Sequence, residues 1–445
     1  MDNLKIGLRY FNMKFGRPRG TKDFLPEEMR IRQHIISKIR DTFELHGFEE
    51  MDTPAMELWE VLSAKGGEEV ERQIYKFQDK GGRWIGLRFD LTVPLARVVA
   101  SNPNLVKPFK RYCISKVWRY EEPQSGRLRE FLQADIDIVG SPRMEADMEC
   151  ISTAVDALKA LGLTGFEVRI NNRKILEGVM ESLSIPLDVS IRVFRVLDKI
   201  EKIGEDNVKK ELENIGLKSD AIEKILKFIH YQGSEALEYA ERIFGSSKLI
   251  MEGILELRRM LELSDPHGLK DFLLVDFSLV RGLDYYTGPV FEVKVKDAQI
   301  GSVAGGGRYD SLIEKFGGGP TPATGISLGI ERLYEVLNQR IGSSLKPSIT
   351  TAFIANTSPE VLTEAIRVRR YLLKEGIVAE TDLMGRRLAR QLEYADTKKI
   401  PFVIILGPEE LRTGIYKVRN MVKKEERLVK LEEIPSIILG KQPAK

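Results

Sequence analysis

Apolar residues recur along this chain with the two periods that distinguish helices from strands. Ile31, Ile35, Ile39 and Phe43 are spaced four apart, which predicts an amphipathic helix over residues 26–46. A glycine follows directly at position 47 and predicts the end of that helix.

Two later segments alternate apolar and polar residues, which predicts strands with one polar face each. The first spans residues 87–92 and has Asp90 and Thr92 on its polar face. The second spans residues 132–138. We expect both strands in a half-buried antiparallel sheet, with residues 123–126 as a hairpin tip. The polar face of the second strand consists of Gln133, Asp135 and Asp137.

Residues 174–263 are rich in Lys, Glu, Ile and Leu at helical spacing and predict a helical insertion. Strand patterning returns at residues 272–275 and 291–295. Residues 342–347 resemble a linker, and strands then alternate with helices up to residue 406. That alternation predicts a small terminal domain with a largely parallel sheet.

Composition bounds the architecture and the function. The 445 residues indicate two or three domains, and 42% hydrophobic with 30% charged residues is typical of a soluble globular protein. No apolar run is long enough to cross a membrane, and no signal-peptide core is present, so we expect a cytoplasmic protein. The net charge of +3 means that any nucleic acid must bind to local basic patches.

The cysteine and histidine patterns argue against a zinc site. Cys113 and Cys150 lack CxxC partners, and we expect both to be buried as small hydrophobic residues. The four histidines show no metal-ligand spacing.

Residues 279–288, reading LVRGLDYYTG, form the most informative segment. Arg281 offers a planar set of donors for a carboxylate or phosphate. Tyr285 and Tyr286 combine an apolar ring with a hydroxyl group, which suits a small, flat, polar ligand. Taken alone, the segment could equally be a turn with its polar residues in water.

Three other segments carry candidate chemistry. Residues 118–131 place arginines 119, 127 and 129 on both arms of a predicted hairpin, which indicates an anionic ligand; a solvated, salt-bridged edge is the alternative. In residues 325–332 a strand enters a helix whose first turn carries Arg332, against the helix dipole. A bound polyphosphate would explain that arginine, as would simple exposure to water. Residues 305–310, reading GGGRYD, are best interpreted alone as a glycine turn.

The sequence lacks the GxxxxGK[ST] phosphate loop, the GxGxxG dinucleotide motif and the HExxH zinc pair. Its own segments resemble the signature motifs of class II aminoacyl-tRNA synthetases in order. Residues 47–54 resemble motif 1, residues 119–137 motif 2 and residues 325–332 motif 3. LVRGLDYYTG, GGGRYD and RGTKDFLP at residues 19–26 resemble the histidyl-tRNA synthetase family in particular, over essentially the whole chain.

This resemblance implies a mixed α/β (α+β) fold in which helices flank an antiparallel catalytic sheet. The implied domains are a first part of the catalytic core (residues 1–173), a helical insertion (174–265), a second part of the core (266–340) and a C-terminal α/β anticodon-binding domain (347–445). The insertion is expected to clamp tRNA.

The resemblance also implies roles for individual residues. Asp90 and Gln133 would receive the ammonium group of histidine, with Leu91 and Thr92 beside them. Asp137 and Tyr286 would read the two imidazole nitrogens. The ring would be enclosed by Tyr285 and Tyr309. Asp90 and Asp137 stand where the bacterial form usually has glutamate, and in this they resemble the archaeal and eukaryotic form.

For ATP, the resemblance places Arg119 and Arg281 on opposite sides of the α-phosphate, as the catalytic pair. Arg119 would also contact the histidine carboxylate, and both arginines would belong to the histidine-binding residues. Arg127 and Arg332 would bind the β- and γ-phosphates. Around the adenine, Glu121 would position the base and Phe131 would stack on it. Mg²⁺ is expected with ATP, without assigned protein ligands.

The implied partners are L-histidine, ATP, tRNA(His) and a second copy of the chain through motif 1. Basic residues on one predicted C-terminal helix would contact the anticodon stem, although a solvated helix face is the alternative. These residues are Arg386, Arg387 and Arg390, with Lys398 and Lys399 just beyond.

Two other functions compete with a histidine–tRNA ligase. One is a non-catalytic, histidine-sensing regulatory paralogue of histidine biosynthesis, which typically lacks the anticodon-binding domain and parts of motifs 2 and 3. The other is a class II synthetase for another amino acid, against which the double tyrosine and GGGRYD argue. The arginines at positions 119, 127, 281 and 332 favour the ligase.

Overall fold

A computed structural model describes residues 16–64, 68–122, 127–280, 285–296 and 301–440 of the chain. The chain divides into two compact units at the bond between Gly342 and Ser343. Within the described residues, no helix is long and apolar enough to cross a membrane.

The first unit is built around a large sheet and a small one. Its strands are β1 (Glu49–Glu50), β2 (Met56–Leu58), β3 (Lys76–Gln78), β4 (Trp84–Leu87), β5 (Phe109–Trp118), β6 (Glu130–Val139), β7 (Phe166–Asn172), β8 (Leu273–Val275), β9 (Pro289–Val295), β10 (Ala304–Arg308) and β11 (Ala323–Gly329).

The large sheet of the described chain has eight strands in the order β1-β5-β6-β11-β10-β9-β7-β8. Its five inner pairings are antiparallel, and only the edge pairs β1–β5 and β7–β8 run parallel. The small sheet pairs β2 and β3 with β4. The prediction of an antiparallel sheet flanked by helices is therefore confirmed.

Helices cover this sheet and form the segment between β7 and β8. They are α1 (Pro26–Leu45), α2 (Trp59–Ser63), α3 (Glu68–Gln73), α4 (Thr92–Ser101), α5 (Met144–Ala160), α6 (Arg173–Ser182), α7 (Leu187–Leu197), α8 (Ile200–Ile203), α9 (Glu205–Ile215), α10 (Ser219–Ile229), α11 (Gly233–Phe244), α12 (Lys248–Ser264) and α13 (Ile330–Ser344).

The first helix follows its sequence pattern closely. Ile35, Ile39 and Phe43 are fully buried, and Gly47 ends the helical segment with a positive φ of 74°. Helix α1 packs on α5, which in turn lies against β6 and β11. The core of this unit therefore lies between these two helices and the strands that carry the candidate site.

The insertion is helical as predicted, with no strand described between residues 173 and 264. Its last helix, α12, packs against α5 and β7 as well as against α6. The insertion thus belongs to the same compact unit as the sheet. The four domain boundaries given above stay predictions.

Two local predictions were wrong. Residues 87–92 are not one strand, because β4 ends at Leu87 and α4 begins at Thr92. The apolar alternation there is real, since Phe89 and Leu91 are buried, but it belongs to an extended segment that enters a helix. GGGRYD is not a turn, because residues 304–308 form the central strand β10. The predicted hairpin tip at residues 123–126 lies outside the described residues.

The second unit has a mixed sheet in the order β13-β12-β14-β15-β16. The two pairings around β12 are parallel, whereas β14–β15 and β15–β16 are antiparallel, so the expectation of a largely parallel sheet was wrong. The added hairpin was missed because its outer strand is almost entirely exposed and polar. The elements are β12 (Ala352–Asn356), α14 (Leu362–Lys374), β13 (Ala379–Thr381), α15 (Leu388–Thr397), β14 (Phe402–Leu406), α16 (Pro408–Thr413), β15 (Ile415–Asn420), β16 (Glu425–Lys430) and α17 (Ile434–Leu439).

Candidate functional site

A cavity of about 390 Å³ lies over β6, β10 and β11, within the size range of small-molecule sites. Of the residues predicted for histidine and ATP, one is elsewhere: Leu91 is buried in an apolar cluster with Cys113 and Val117. Arg281 lies outside the described residues. The predicted residues that line the cavity are Asp90, Thr92, Arg119, Glu121, Arg127, Phe131, Gln133, Asp137, Tyr285, Tyr286, Tyr309 and Arg332.

The cavity has two chemically different ends, named here for their dominant groups. The acidic end is formed by Asp90, Gln133, Asp135, Asp137, Tyr285, Tyr286 and Tyr309. The arginine end is formed by Arg119, Glu121, Arg127, Phe131 and Arg332.

Asp137 is the most firmly held carboxylate of the acidic end. It is 2% exposed; the Tyr309 hydroxyl donates to its Oδ1, and Arg111 Nη2 lies 2.9 Å from its Oδ2. Arg111 stands directly opposite Asp137 in the β5–β6 register and also donates to the backbone oxygen of Leu91 at 2.8 Å. Burial lowers the pKa of Arg111, but Asp137 and Asp135 raise it to a net increase, so the pair is ionic.

A glycine on the neighbouring strand makes room for this carboxylate. Gly325 of β11 is paired with Asp137, and a Cβ atom added at that glycine would lie 2.2 Å from Asp137 Oδ1. Position 325, the first of the GISLG segment, therefore requires a glycine, because the Asp137 carboxylate lies so close to its backbone. The spacing of the glycines in the sequence did not reveal this requirement.

Three tyrosines surround the space beside Asp137. The hydroxyl of Tyr285 donates to that of Tyr286 at 3.0 Å, and their ring centroids are 4.3 Å apart. The ring of Tyr309 meets that of Tyr285 edge-on at 6.1 Å. Burial raises the pKa of both Tyr285 and Tyr309, with Asp90 and Asp137 respectively adding to the effect. All three rings can therefore enclose a flat ligand, and the two buried hydroxyls stay protonated.

Asp90 reaches the acidic end from a helix start and not from a strand. Its Oδ1 accepts a hydrogen bond from the backbone N–H of Val93 at 3.1 Å, in the first turn of α4. Thr92 is the first residue of that helix. The two residues do line one cavity as predicted, but the helix entry positions them, because the turn brings both toward the ligand side.

The polar face of β6 is correctly predicted, with Gln133 and Asp137 both lining the cavity. Asp135 lies between them on that face, and it received no role in the sequence interpretation although it showed the same alternation. Arg111 was also missed. Arg111 can be recognised as a site residue only from the pairing of β5 with β6, and the sequence of one segment does not reveal that pairing.

At the arginine end, a hydrogen bond to a backbone oxygen fixes the Arg119 side chain. Its Nε donates to the Phe89 oxygen at 2.9 Å, and its guanidinium lies 5.2 Å from the Phe131 ring centroid. Arg127 is more loosely held, since its Nη1 is 3.7 Å from Glu121 Oε2 and the two side chains are 39% and 33% exposed. Only the first of these two arginines is therefore preorganised.

Arg332 lines the cavity from the first turn of α13, where its Nη1 donates to the backbone oxygen of Ser302. The neighbouring Glu331 ties the same turn to the sheet, because it pairs with Arg32 and accepts from the backbone N–H of Leu132 at 2.9 Å. Arg332 is thus part of the pocket wall and not an arginine extending into water.

Two other arginines of the candidate segments have structural contacts instead. Arg129 donates through Nε to the Glu121 backbone oxygen at 2.9 Å and lies 4.1 Å from the Tyr120 ring centroid. Arg308 of GGGRYD is buried against Asp147. Neither residue lines the cavity, so Arg129 serves the local fold and not a ligand contact.

The cysteines behave as predicted. Cys113 and Cys150 are both buried, and burial raises the pKa of Cys113 to about 12. Among the described residues, no three His, Cys, Asp or Glu side chains are grouped so that they could hold a metal ion.

In the second unit, the predicted basic helix is shorter than expected. Helix α15 begins at Leu388, and Arg386 precedes it, bound through Nε to Asp382 Oδ1 at 2.6 Å and lying 4.3 Å from the Tyr394 ring centroid. Arg387 and Arg390 are exposed. The basic surface therefore consists of these two arginines and the exposed Lys398 and Lys399, with Arg386 serving the local fold.

Sequence comparison identifies the family. The family model for histidyl-tRNA synthetase matches residues 20–333, and the model for an anticodon binding domain matches residues 351–441. The histidine–tRNA ligase of Aeropyrum pernix is 45% identical over 421 residues, covering 94% of this chain and 96% of that protein. The chain belongs to the histidyl-tRNA synthetase family.

Solved structures of this family agree with the fold. Histidyl-tRNA synthetase from Nostoc sp. PCC 7120 superposes with a TM-score of 0.82 at 31% identity, over 96% of this chain and 100% of that one. A Bacillus halodurans structure described as an ATP phosphoribosyltransferase regulatory subunit/histidyl-tRNA synthetase gives 0.74 at 26% identity, over 89% and 99% of the two chains. The matched anticodon binding domain and the higher identity to named ligases make the regulatory alternative the less supported one.

Proposed function

We propose that this protein is a histidine–tRNA ligase, which activates L-histidine with ATP to histidyl-adenylate and transfers histidine to the 3′ end of tRNA(His). The observation that carries the proposal is the two-ended cavity. One end offers a buried, paired carboxylate among tyrosines, and the other offers arginines. A small cationic, aromatic amino acid and a polyphosphate are the ligands that these two ends suit.

At the acidic end, Asp137 and Tyr286 would hydrogen-bond the two imidazole nitrogens, while Tyr285 and Tyr309 enclose the ring. Asp90 and Gln133 would receive the ammonium group, with Thr92 beside them and Leu91 supporting them from the core. A wrong amino acid leaves these buried polar groups unpaired, which costs several orders of magnitude in selectivity. No editing site is then required.

At the arginine end, Arg119 would contact the α-phosphate and the histidine carboxylate, with Arg281 on the opposite side. Arg127 and Arg332 would bind the β- and γ-phosphates. The adenine would lie against the Phe131 ring, with Glu121 at its edge. The loose pairing of Arg127 with Glu121 leaves that arginine able to move to a phosphate.

The first reaction needs charge stabilisation more than proton transfer. The histidine carboxylate attacks the α-phosphorus in line and pyrophosphate leaves, so nucleophile and leaving group are both anionic. Repulsion and positioning dominate the barrier, and Arg119 and Arg281 reduce both. In the second step the terminal ribose hydroxyl of the tRNA attacks the adenylate carbonyl.

Mg²⁺ would arrive with ATP and neutralise phosphate charge. Mg²⁺ keeps several waters and needs one or two protein carboxylates besides phosphate oxygens. Within the described residues no cluster of three ligands is present, and a Mg²⁺ ion that arrives with ATP does not need one.

The tRNA and a second copy of the chain complete the proposal. Arg387 and Arg390 would contact the anticodon stem, and the helical insertion would clamp the tRNA. Dimerisation would use residues 47–54, where β1 forms the parallel edge of the large sheet. A self-complementary contact of that kind is the usual form of a dimer interface. The reaction is expected in the cytoplasm.

One experiment separates the candidate functions. Histidine-dependent ATP–pyrophosphate exchange followed by charging of tRNA(His) should both be positive. A regulatory paralogue would bind histidine without exchange, and a synthetase for another amino acid would exchange with that amino acid instead. Either result would overturn the proposal.

The tRNA contact is tested separately with the double variant Arg387→Ala/Arg390→Ala. Its tRNA affinity should fall and depend less steeply on salt, because two phosphate contacts are lost, while pyrophosphate exchange stays unchanged. An affinity equal to that of the unmodified protein at every salt concentration would remove this surface from the tRNA interface.

A further inference from the structure

The acidic end contains one buried carboxylate to which the resemblance assigns no role. Asp135 lies between Gln133 and Asp137 on the cavity-facing side of β6 and is 4% exposed. Its Oδ1 is buried and meets no hydrogen-bond donor among the residues that the structure describes. Such an oxygen is costly unless a ligand supplies a donor.

Gln133 presents a second acceptor of the same kind. Its Nε2 donates to Ser327 Oγ at 2.7 Å, whereas its Oε1 is buried and has no donor within the described part of the chain. Because Gln133 and Asp135 are two residues apart on one strand, both side chains project from the same face. Two buried acceptors on one face suit a ligand group with several N–H donors.

The surrounding charges favour a cation at this position. Arg111, whose positive charge lowers the pKa of Asp135, is held by Asp137 at 2.9 Å and by the Leu91 backbone oxygen at 2.8 Å. The negative charges of Asp137 and Asp90 raise the pKa of Asp135. An α-ammonium group brings both a positive charge and three donors.

We propose that Asp135 is a specificity-determining ligand of the α-ammonium group of histidine, acting with Gln133 and Asp90. The proposal rests on the proposed function and deepens it. It assigns to Asp135 the preference for an amino acid over the same molecule without its amino group.

This role makes the preference depend on pH. Burial raises the pKa of Asp135 to about 7; Arg111 opposes the rise, Asp137 and Asp90 add to it, and Ser327 on β11 lowers it. Of the other titratable groups nearby, Cys113 on β5 and Tyr285 both have raised pKa values and stay neutral. Asp135 is therefore partly protonated in the ligand-free protein at neutral pH, and an ammonium group binds best to its ionised form.

The test compares two ligands that differ only in the amino group, L-histidine and 3-(imidazol-4-yl)propionate. Their dissociation constants are measured by calorimetry on the full-length protein and on Asp135→Asn. The preference for histidine should fall about tenfold to a hundredfold in the variant, as expected for a charge-assisted hydrogen bond. In the unmodified protein the preference should grow from about pH 6 to about pH 8, where Asp135 ionises, and in the variant this growth should disappear.

Asp147→Asn is the matched control. Asp147 is also a buried carboxylate whose pKa burial raises, to about 6, but it pairs with Arg308 and lies outside the cavity lining. Its substitution should change stability without changing the ligand preference.

Equal weakening of both ligands in Asp135→Asn would overturn the inference, since it would indicate a structural role or contact with the imidazole. The pH series on the unmodified protein needs no folded variant, and a preference that is constant with pH would overturn it as well. If the unmodified protein does not bind histidine at all, the proposed function itself fails, which is a distinguishable result.

Discussion

The two ends of the cavity differ in how completely their side chains are held before any ligand binds. At the acidic end, Asp137 and Tyr309 are each 2% exposed and hydrogen-bonded to one another, and Arg111 forms a salt bridge with Asp137. At the arginine end, Arg127 and Glu121 are more than a third and about a third exposed, and 3.7 Å separates their charged atoms. One end is rigid in the unligated protein, and the other can still adjust.

The difference follows from what each end would recognise. Discrimination among amino acids requires buried partners in fixed positions, because an adaptable site would accommodate wrong side chains. A triphosphate is long and flexible, and exposed arginines can follow it at little desolvation cost. Arg119 lies at the boundary, where a fixed contact with Phe89 positions it beside the reacting atoms.

The largest expected effect is on the rate of adenylate formation and concerns the arginines beside the reacting atoms. Arg119→Ala should reduce the rate of histidine-dependent pyrophosphate exchange by about a hundredfold to a thousandfold, since one preorganised charge contact in the transition state is lost. Arg281→Ala should have an effect of about a hundredfold or more for the same reason.

The matched control is Arg143→Ala. Arg143 is an arginine whose side chain is 71% exposed and paired with Glu145 on the surface, and its loss should leave exchange unchanged. A near-normal exchange rate in Arg119→Ala would mean that the arginine end, including its fixed member, contributes only binding.

The rigidity of the acidic end can be broken from the neighbouring strand. Gly325→Ala places a methyl group against Asp137 Oδ1, where 2.2 Å is available. Overpacking of this kind costs about 1–3 kcal/mol. If the displacement falls on Asp137, histidine affinity should drop by roughly tenfold to a hundredfold, with ATP affinity much less affected.

Gly319→Ala provides the comparison, because an added Cβ there meets nothing within 4 Å and the position is exposed. It should behave as the unmodified protein in both ligand titrations. Unchanged histidine binding in Gly325→Ala would show that the acidic end adapts, and the contrast between the two ends would then be wrong.

A smaller change removes one hydrogen bond from the rigid group. Tyr309→Phe deletes the hydroxyl that donates to Asp137, and hydrogen bonds to charged groups contribute about 1.5–3 kcal/mol. We expect the KM for histidine to rise about tenfold with a smaller change in kcat. A fall in kcat at constant KM would instead place this hydroxyl among transition-state contacts.

The sequence predicted the acidic end better than it predicted the strands that form it. The alternation in β6 correctly placed Gln133 and Asp137 on one face. Side chains in any single strand alternate between the two faces of the sheet, so this prediction does not depend on which strands are its neighbours. Asp90 was assigned to the right cavity through the wrong element, since an extended segment before a helix shows the same alternation as a strand.

What the sequence could not supply were the pairings between distant segments. Arg111 becomes the partner of Asp137 only through the β5–β6 register, and Gly325 becomes necessary only because β11 lies on the other side. GGGRYD was interpreted as a turn because glycines are common in turns, whereas here they let strands and a tyrosine approach closely. In all three cases the role of the residue depends on contacts with segments that are distant in the sequence.

The smallest predicted effect concerns stability, and it asks whether the acidic end is fully satisfied without a ligand. The pKa of Asp135 is raised by burial from 3.8 to about 7 in the folded protein. A carboxyl group with a raised folded-state pKa contributes its stability below the unfolded value and loses it as pH rises through the folded value. Asp135 should therefore weaken the unligated fold increasingly between about pH 4 and about pH 7.

Asp135→Asn removes that ionisation. The Tm of the unligated variant, measured relative to the unmodified protein, should rise by about 3 °C more at about pH 8 than at about pH 5, the shift expected for roughly 3 kcal/mol. Saturating histidine should reverse the order, because only the ionised carboxylate gains a cationic partner. If the variant is instead less stable at the higher pH without ligand, the charge of Asp135 is already compensated inside the fold, and the acidic end is preorganised for its imidazole partner alone.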